Sequence, residues 1–244
     1  MKTPLIWLVN SIIRSILFLI MRIDDKALRN VPWHGPLILV SNHVNFLDVP
    51  VIFTHLISRP VTGFVKRETW DNPVMGFLFT LWGGIPIDRG VADFDAFKAA
   101  KHALLDEHKI LAVAPEGTRS EDGRLLRGKP GITILASRTG VPILPIACFG
   151  HENFKHNFRR LKRTPITIRV GEPFRCKFDS REKNKAVLLA MTDAIMLEIA
   201  DLLPEEYHGE YAGVDINREM YLEYLDSPSR EEISQALGKQ FSHA

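Results

Sequence analysis

Between residues 36 and 170 one pattern repeats: a short apolar run, a turn, then a longer amphipathic stretch. Residues 36–40 read PLILV, and further apolar runs occupy 61–65, 85–87, 110–113, 142–146 and 166–170. Runs this short, rich in Ile, Leu and Val and bounded by turn residues, predict buried strands. The stretches between them predict helices. Asp93 stands as a cap before a helix on which Phe94, Phe97, the Lys101 stem, Leu104 and Leu105 share a face. A short helix over 131–138 is stopped by Gly140, and the longest one, 181–203, is closed by Pro204. Strands alternating with helices argue for an α/β fold: a mixed, mostly parallel sheet covered by helices on both faces.

The chain of 244 residues is long enough to bury a full core. Hydrophobic residues at 45% and charged residues at 25% exclude a disordered chain. A net charge of +2 provides no global field that demands a nucleic acid as partner. Cys148 and Cys176 cannot form a disulfide framework and fit a reducing compartment. A mean hydropathy of -0.02 excludes a polytopic membrane protein but leaves room for one membrane-attached segment. No repeat or Gly/Ser/Pro-rich linker divides the chain. The expected organisation is therefore an N-terminal membrane-associated helix over 1–24, a catalytic domain over 25–210, and an acidic helical extension over 211–244.

Residues 5–23 read LIWLVNSIIRSILFLIMRI, a length that could span a bilayer. Arg14 in its middle is costly in hydrocarbon, and Asn10, Ser11, Arg14, Ser15 and Arg22 fall on one side of a helical wheel with Trp7 and Phe18. Such a helix suits the membrane interface. A cleaved signal peptide would need a small-residue cleavage site and an uninterrupted apolar region, and both are missing. The competing reading is a buried first helix of the core. A basic cluster, Lys155 with Arg159, Arg160, Lys162 and Arg163, is suited either to anionic head groups or to donor phosphates, or is a solvated loop.

Two strand-to-loop junctions carry chemistry. The first, after the 36–40 run, is Ser41-Asn42-His43-Val44-Asn45-Phe46-Leu47-Asp48. On one helix His43 and Asp48, five residues apart, would lie about 140° from each other. They meet only if His43 is in the turn and Asp48 in the first helical turn, with Asn45 as cap. A carboxylate beside an imidazole sets its tautomer and makes His43 a candidate general base. The second junction, after 110–113, is Pro115-Glu116-Gly117-Thr118-Arg119-Ser120: an arginine fork, backbone N–H groups and hydroxyls, which are phosphate-binding parts. The run 85–87 ends in Asp88-Arg89. Val141-Pro142-Ile143-Leu144-Pro145-Ile146 reads, by composition alone, as core.

In this order the four segments resemble the glycerolipid acyltransferase family, which contains bacterial 1-acylglycerol-3-phosphate acyltransferases. Its NHxxxxD motif is matched by Asn42-His43 with Asp48, its Asp-Arg strand end by Asp88-Arg89, its PEGTRS motif by Pro115 to Ser120, and its VPIxPV-like strand by Val141 to Ile146. Pro86-Ile87 and Ala114 depart from the family's bulkier residues, which touches packing and acyl-pocket shape. The resemblance implies acyl transfer from acyl-CoA or acyl carrier protein to the sn-2 hydroxyl of 1-acylglycerol 3-phosphate, giving phosphatidic acid in phospholipid biosynthesis. His43 would be the base and Asp48 its orienting partner. Arg89, Glu116, Gly117, Thr118 and Arg119 would bind the acceptor phosphate and glycerol, and Pro142 would line the apolar part. The expected partners are the lysophospholipid, the donor and a membrane surface at the cytoplasmic face, with no nucleic acid, cofactor or metal. Rival readings are another acceptor (glycerol 3-phosphate, another lysophospholipid or an ornithine lipid), a metal-dependent phosphohydrolase, and a peripheral lipid-binding protein.

Overall fold

The structure, a computed structural model, describes residues 4–56, 58–177 and 184–225. Among the described residues nine strands form one sheet: β1 (Met21–Asp24), β2 (Leu37–Ser41), β3 (Val61–Lys66), β4 (Ile85–Ile87), β5 (Ile110–Val113), β6 (Ile143–Phe149), β7 (Thr164–Val170), β8 (Phe174–Cys176) and β9 (Leu222–Tyr224). Their order is β1-β7-β6-β2-β5-β3-β4, with β8 beside β6 and β9 beside β8. The β2–β5, β2–β6, β3–β5, β3–β4 and β1–β7 pairings are parallel. Those of β6 with β7 and β8, and of β8 with β9, are antiparallel. The expected mixed, mostly parallel sheet is present.

The strands alternate into two cores, as the two-residue period of a strand requires. Ile38 and Val40 of β2 face the layer built by α4 (Phe94–Leu105), α5 (Gly131–Thr139) and α7 (Lys185–Ala200). Leu37 and Leu39 face α1 (Pro4–Ile20), α2 (Asp48–His55) and the end of α3 (Pro73–Leu81). A seventh helix, α6 (Phe154–Arg159), follows β6. Two of the terminators act as expected, while α7 ends at Ala200, short of Pro204. Asp93 accepts a hydrogen bond from the Ala96 N–H at the start of α4, and Gly140 closes α5 with a left-handed φ of 65°. At α7, Asn184 caps the helix; Arg181 to Lys183, the expected first turn, lie outside the described residues.

Three sequence expectations change. The N-terminal helix ends at Ile20, because Met21-Arg22-Ile23-Asp24 alternates with a strand's period and joins β7 as an edge strand, burying Met21. The wheel of α1 also turns differently. Ile6, Asn10, Ile13, Leu17 and Ile20, spaced four, three, four and three apart, form the inward stripe. Asn10 is buried there, its Oδ1 accepting from Trp82 Nε1–H at 2.8 Å. Leu5, Leu8, Ile12, Ile16 and Leu19 face outward. Among the described residues no helix is long and apolar enough to cross a membrane. Finally, the described part of the expected acidic helical extension, 211–225, holds only short 3-10 turns and a strand. Tyr211 and Leu222 belong to the α7-side core, and β9 extends the sheet. Residues 226–244 lie outside the described residues.

Candidate active site

The C-terminal ends of β2, β5 and β6 converge on one edge of the sheet, the place where open α/β sheets carry their sites. Asn42 clamps two of these ends together. Its Nδ2 donates to the Cys148 carbonyl and its Oδ1 accepts from the Cys148 N–H, both at 2.8 Å. The chain then turns into α2. Asn45 was expected to cap this helix, but it works inside the turn instead: its Oδ1 accepts from Leu47 N–H at 2.9 Å, and its Nδ2 donates to the His151 carbonyl at 2.9 Å.

Asp48, the first residue of α2, points back into this turn. Its Oδ2 accepts from His43 Nδ1 at 2.7 Å, Val44 N–H at 2.8 Å and Asn45 N–H at 2.9 Å. Its Oδ1 faces His151 Nε2. Asp48 is only 2% exposed. Burial alone would raise its pKa, but the hydrogen bonds from His151 and His43 and their charges prevail and hold it at about 2. The carboxylate therefore stays ionised, keeps the His43 proton on Nδ1, and leaves His43 Nε2 as the proton acceptor. The sequence expectation that the turn brings His43 and Asp48 together holds.

The loop after β5 runs alongside: Ser120 N–H donates to the His43 carbonyl at 2.8 Å and Glu121 N–H to that of Val44 at 3.0 Å. Glu116 has a different job from the one expected. It is 1% exposed, and both its oxygens are taken, Oε1 by His43 N–H at 2.7 Å and Oε2 by Leu126 N–H at 2.8 Å. It is a clamp on the His43 backbone, with neither oxygen left for a ligand. Burial pushes its pKa up to about 7 against the pull of those two N–H groups. Gly117 has φ +68°, a left-handed conformation that favours glycine, and the Lys129 side chain lies over it.

Thr118 and Arg119 lie exposed on that loop, and Arg89 is exposed after β4. The Arg89 pKa is lowered by desolvation and by the positive charge of Arg119. Asp88 pairs instead with Arg67 at 2.8 Å. Among the described residues neither Arg89 nor Arg119 has a carboxylate within ion-pair distance; the two are close enough for the Arg119 charge to act on Arg89, where the Glu68 carboxylate opposes it. That arrangement is built for an anion.

Pro142 is not at the site. It is buried just before β6, its carbonyl accepting from Ile38 N–H, and β6 runs parallel to β2. The catalytic edge is therefore about 23 Å away along the strand. Residues 141–146 are core, as composition alone said: Val141 and Ile143 pack toward α7, Leu144 and Ile146 toward α2.

His151 is the residue missed from sequence. The available signal was topological: if β6 lies parallel beside β2, whatever follows Phe149 arrives next to His43. Both cysteines are poor nucleophiles. Burial raises the Cys148 thiol far above its usual range and Cys176 to about 12.

Residues 22–149 match the family model described as Acyltransferase. A 1-acyl-sn-glycerol-3-phosphate acyltransferase of Cocos nucifera is 32% identical over 151 residues, 61% of this chain and 48% of that protein. One of Chlamydomonas reinhardtii is 33% identical over 182 residues, 73% of this chain and 52% of that protein. The chain thus spans about half the length of these curated relatives. Its fold is similar to the crystal structure of the 1-acyl-sn-glycerophosphate acyltransferase PlsC from Thermotoga maritima, with a TM-score of 0.60 and 23% identity over 81% of this chain and 78% of that one. The matched segment contains the His43–Asp48 pair, Arg89 and the Glu116 loop, and the chain belongs to the acyltransferase family.

Proposed function

We propose that this protein transfers a fatty acyl group from a thioester donor, acyl-CoA or acyl carrier protein, to the sn-2 hydroxyl of 1-acylglycerol 3-phosphate, forming phosphatidic acid. The observation that carries the reading is His43: its Nδ1 is engaged by an ionised Asp48, and Arg89 and Arg119 stand on loops at the same sheet edge. His43 Nε2 takes the hydroxyl proton as the oxygen attacks the thioester carbonyl. The C–S bond then breaks, and the imidazolium returns the proton to the leaving thiolate. Asp48 stabilises that imidazolium. Arg89 and Arg119 hold the acceptor phosphate. The buried, high-pKa cysteines fit direct attack without an acyl-enzyme.

The acceptor lives in a bilayer, so the site works at a membrane surface on the cytoplasmic face, where such donors are supplied. Two features support this. The outward stripe of α1 is apolar, with Leu19 71% exposed. The turn after α6 presents Leu161, 94% exposed, among Arg159, Arg160 and Lys162. The two are joined: Arg163 lies 4.7 Å over the Phe18 ring and donates to the Met21 carbonyl.

The test is a mass-spectrometric assay offering both donors to 1-acylglycerol 3-phosphate, glycerol 3-phosphate, other lysophospholipids and ornithine lipid precursors. Phosphatidic acid as the main product is expected. Preference for an acceptor without a phosphate monoester overturns the assignment.

A further inference from the structure

We propose that His151 is a positioning residue for the reaction: it holds the second oxygen of Asp48 and so keeps that carboxylate turned toward His43. The proposal rests on the acyl-transfer reading above, yet its structural core stands on contacts alone. Oδ2 of Asp48 receives three donors, His43 Nδ1 and the Val44 and Asn45 N–H groups, whereas among the described residues Oδ1 receives only His151 Nε2. Asp48 and His151 are both buried, His151 with 0% exposure. Without the imidazole, Oδ1 would be a charged oxygen with no partner in a site closed to water, which is the costly case.

His151 is itself held. Its carbonyl accepts from Asn45 Nδ2, so the same asparagine that shapes the His43 turn fixes the chain at His151. Its Nδ1 is buried and has no hydrogen-bond partner among the described residues. A bare lone pair tolerates that position better than an orphaned N–H, so the tautomer consistent with all contacts carries its proton on Nε2 and donates it to Oδ1. With no solvent-exposed surface, His151 is not placed to exchange protons with the acceptor. The two histidines thus have unlike duties on one carboxylate: His43 moves a proton, and His151 holds Asp48 for it. His151 also lies two residues beyond the segment 22–149 that the family model covers.

The groups facing Asp48 are His43 from its own turn, Cys148 from β6, Glu116 from the loop after β5, and His151. Removing the His151 donor makes the Asp48–His43 pair bind its proton more readily, so the acid limb of kcat/KM moves to higher pH.

The first test needs no mutation and no turnover. Nitrogen-15 NMR of the histidine-labelled full chain should find His151 protonated on Nε2; protonation on Nδ1 with a bare Nε2 overturns the proposal. The second compares His151→Gln, whose amide can still donate to Oδ1, with His151→Phe, which cannot. The Phe variant should lose kcat about ten- to hundredfold at neutral pH with acceptor KM little changed, and its acid limb should shift upward; the Gln variant should keep the wild-type limb. Equal losses in both variants with an unmoved limb would make His151 merely structural and overturn it. A wild-type chain that acylates no acceptor would instead refute the acyl-transfer reading, while the NMR result still decides the His151–Asp48 contact.

Discussion

The turn that holds His43 and the helix α1 break the usual placement of residues in opposite ways. The turn and the loops around it bury Asn42, Asp48, Glu116 and His151, and each has its oxygens or nitrogens spoken for, apart from His151 Nδ1. Helix α1 exposes Leu5, Leu8, Ile12, Ile16 and Leu19, while Asn10 goes inward to Trp82. A buried polar group must find its partner within the fold. An exposed apolar stripe beside a complete inward stripe has no partner among the described residues. One region is therefore self-sufficient and chemical; the other is incomplete by itself.

Breaking the self-sufficient region should have the largest effect. Asp48→Asn puts an amide where Oδ2 accepts three donors, setting N–H against N–H or leaving the His43 tautomer wrong. We expect kcat to fall about 10³- to 10⁴-fold with acceptor KM little changed, measured by steady-state kinetics on folded variant. Next is the clamp. Glu116 has a folded pKa of about 7 against 4.5, so the folded chain keeps a proton that the unfolded chain releases between those values. Stability contributed by that proton is complete below pH 4.5 and is lost as pH rises to 7, by about 3 kcal/mol. Asp48 has the opposite sign, its contribution being lost only as pH falls from 3.8 toward 2, outside that window. Denaturant unfolding at pH 5 and pH 8 should show the decline in wild type and a flatter profile in Glu116→Gln. Equal slopes would remove Glu116 from the account.

The anion site gives a smaller effect. Arg119→Ala should reduce kcat/KM for a phosphate-bearing acceptor about ten- to hundredfold and leave the donor KM unchanged. An unchanged acceptor kcat/KM would make the arginine structural. Smallest is the incomplete region. Leu8→Ser with Ile12→Ser removes two outward side chains and no inward one, so folding should be unaffected. Co-sedimentation with anionic liposomes should fall about tenfold. A loss of thermal stability without loss of liposome binding would return the stripe to the core.

The same contrast explains what was legible in the sequence. His43 with Asp48 could be read because five residues and one turn hold the geometry, and the strands because short Ile/Leu/Val runs have few other fates. What depended on pairing across the sheet was not visible. Pro142 sits in a matching motif, yet the parallel direction of β6 carries it to the far edge and brings His151 to the site instead. Glu116 looked like a ligand contact because its motif is polar, while its target, the His43 N–H, is 73 residues away. The strand at Met21–Asp24 was hidden at the end of an apolar helical run, and only its pairing with Thr164–Val170 separates it. On α1 two apolar stripes fit the composition, and packing against Trp82 chose which one faces in.

The most direct test of the central claim, that His43 is the base for direct attack by the acceptor hydroxyl, is a single-turnover assay with labelled acyl donor, enzyme in excess and 1-acylglycerol 3-phosphate. Wild type should form phosphatidic acid with no acylated protein at any time point. His43→Ala should bind both substrates, keep its circular dichroism spectrum and form no product above the uncatalysed rate. Product at a near-wild-type rate from a folded His43→Ala protein, or a labelled acyl-enzyme that passes its acyl group to the acceptor, would contradict it.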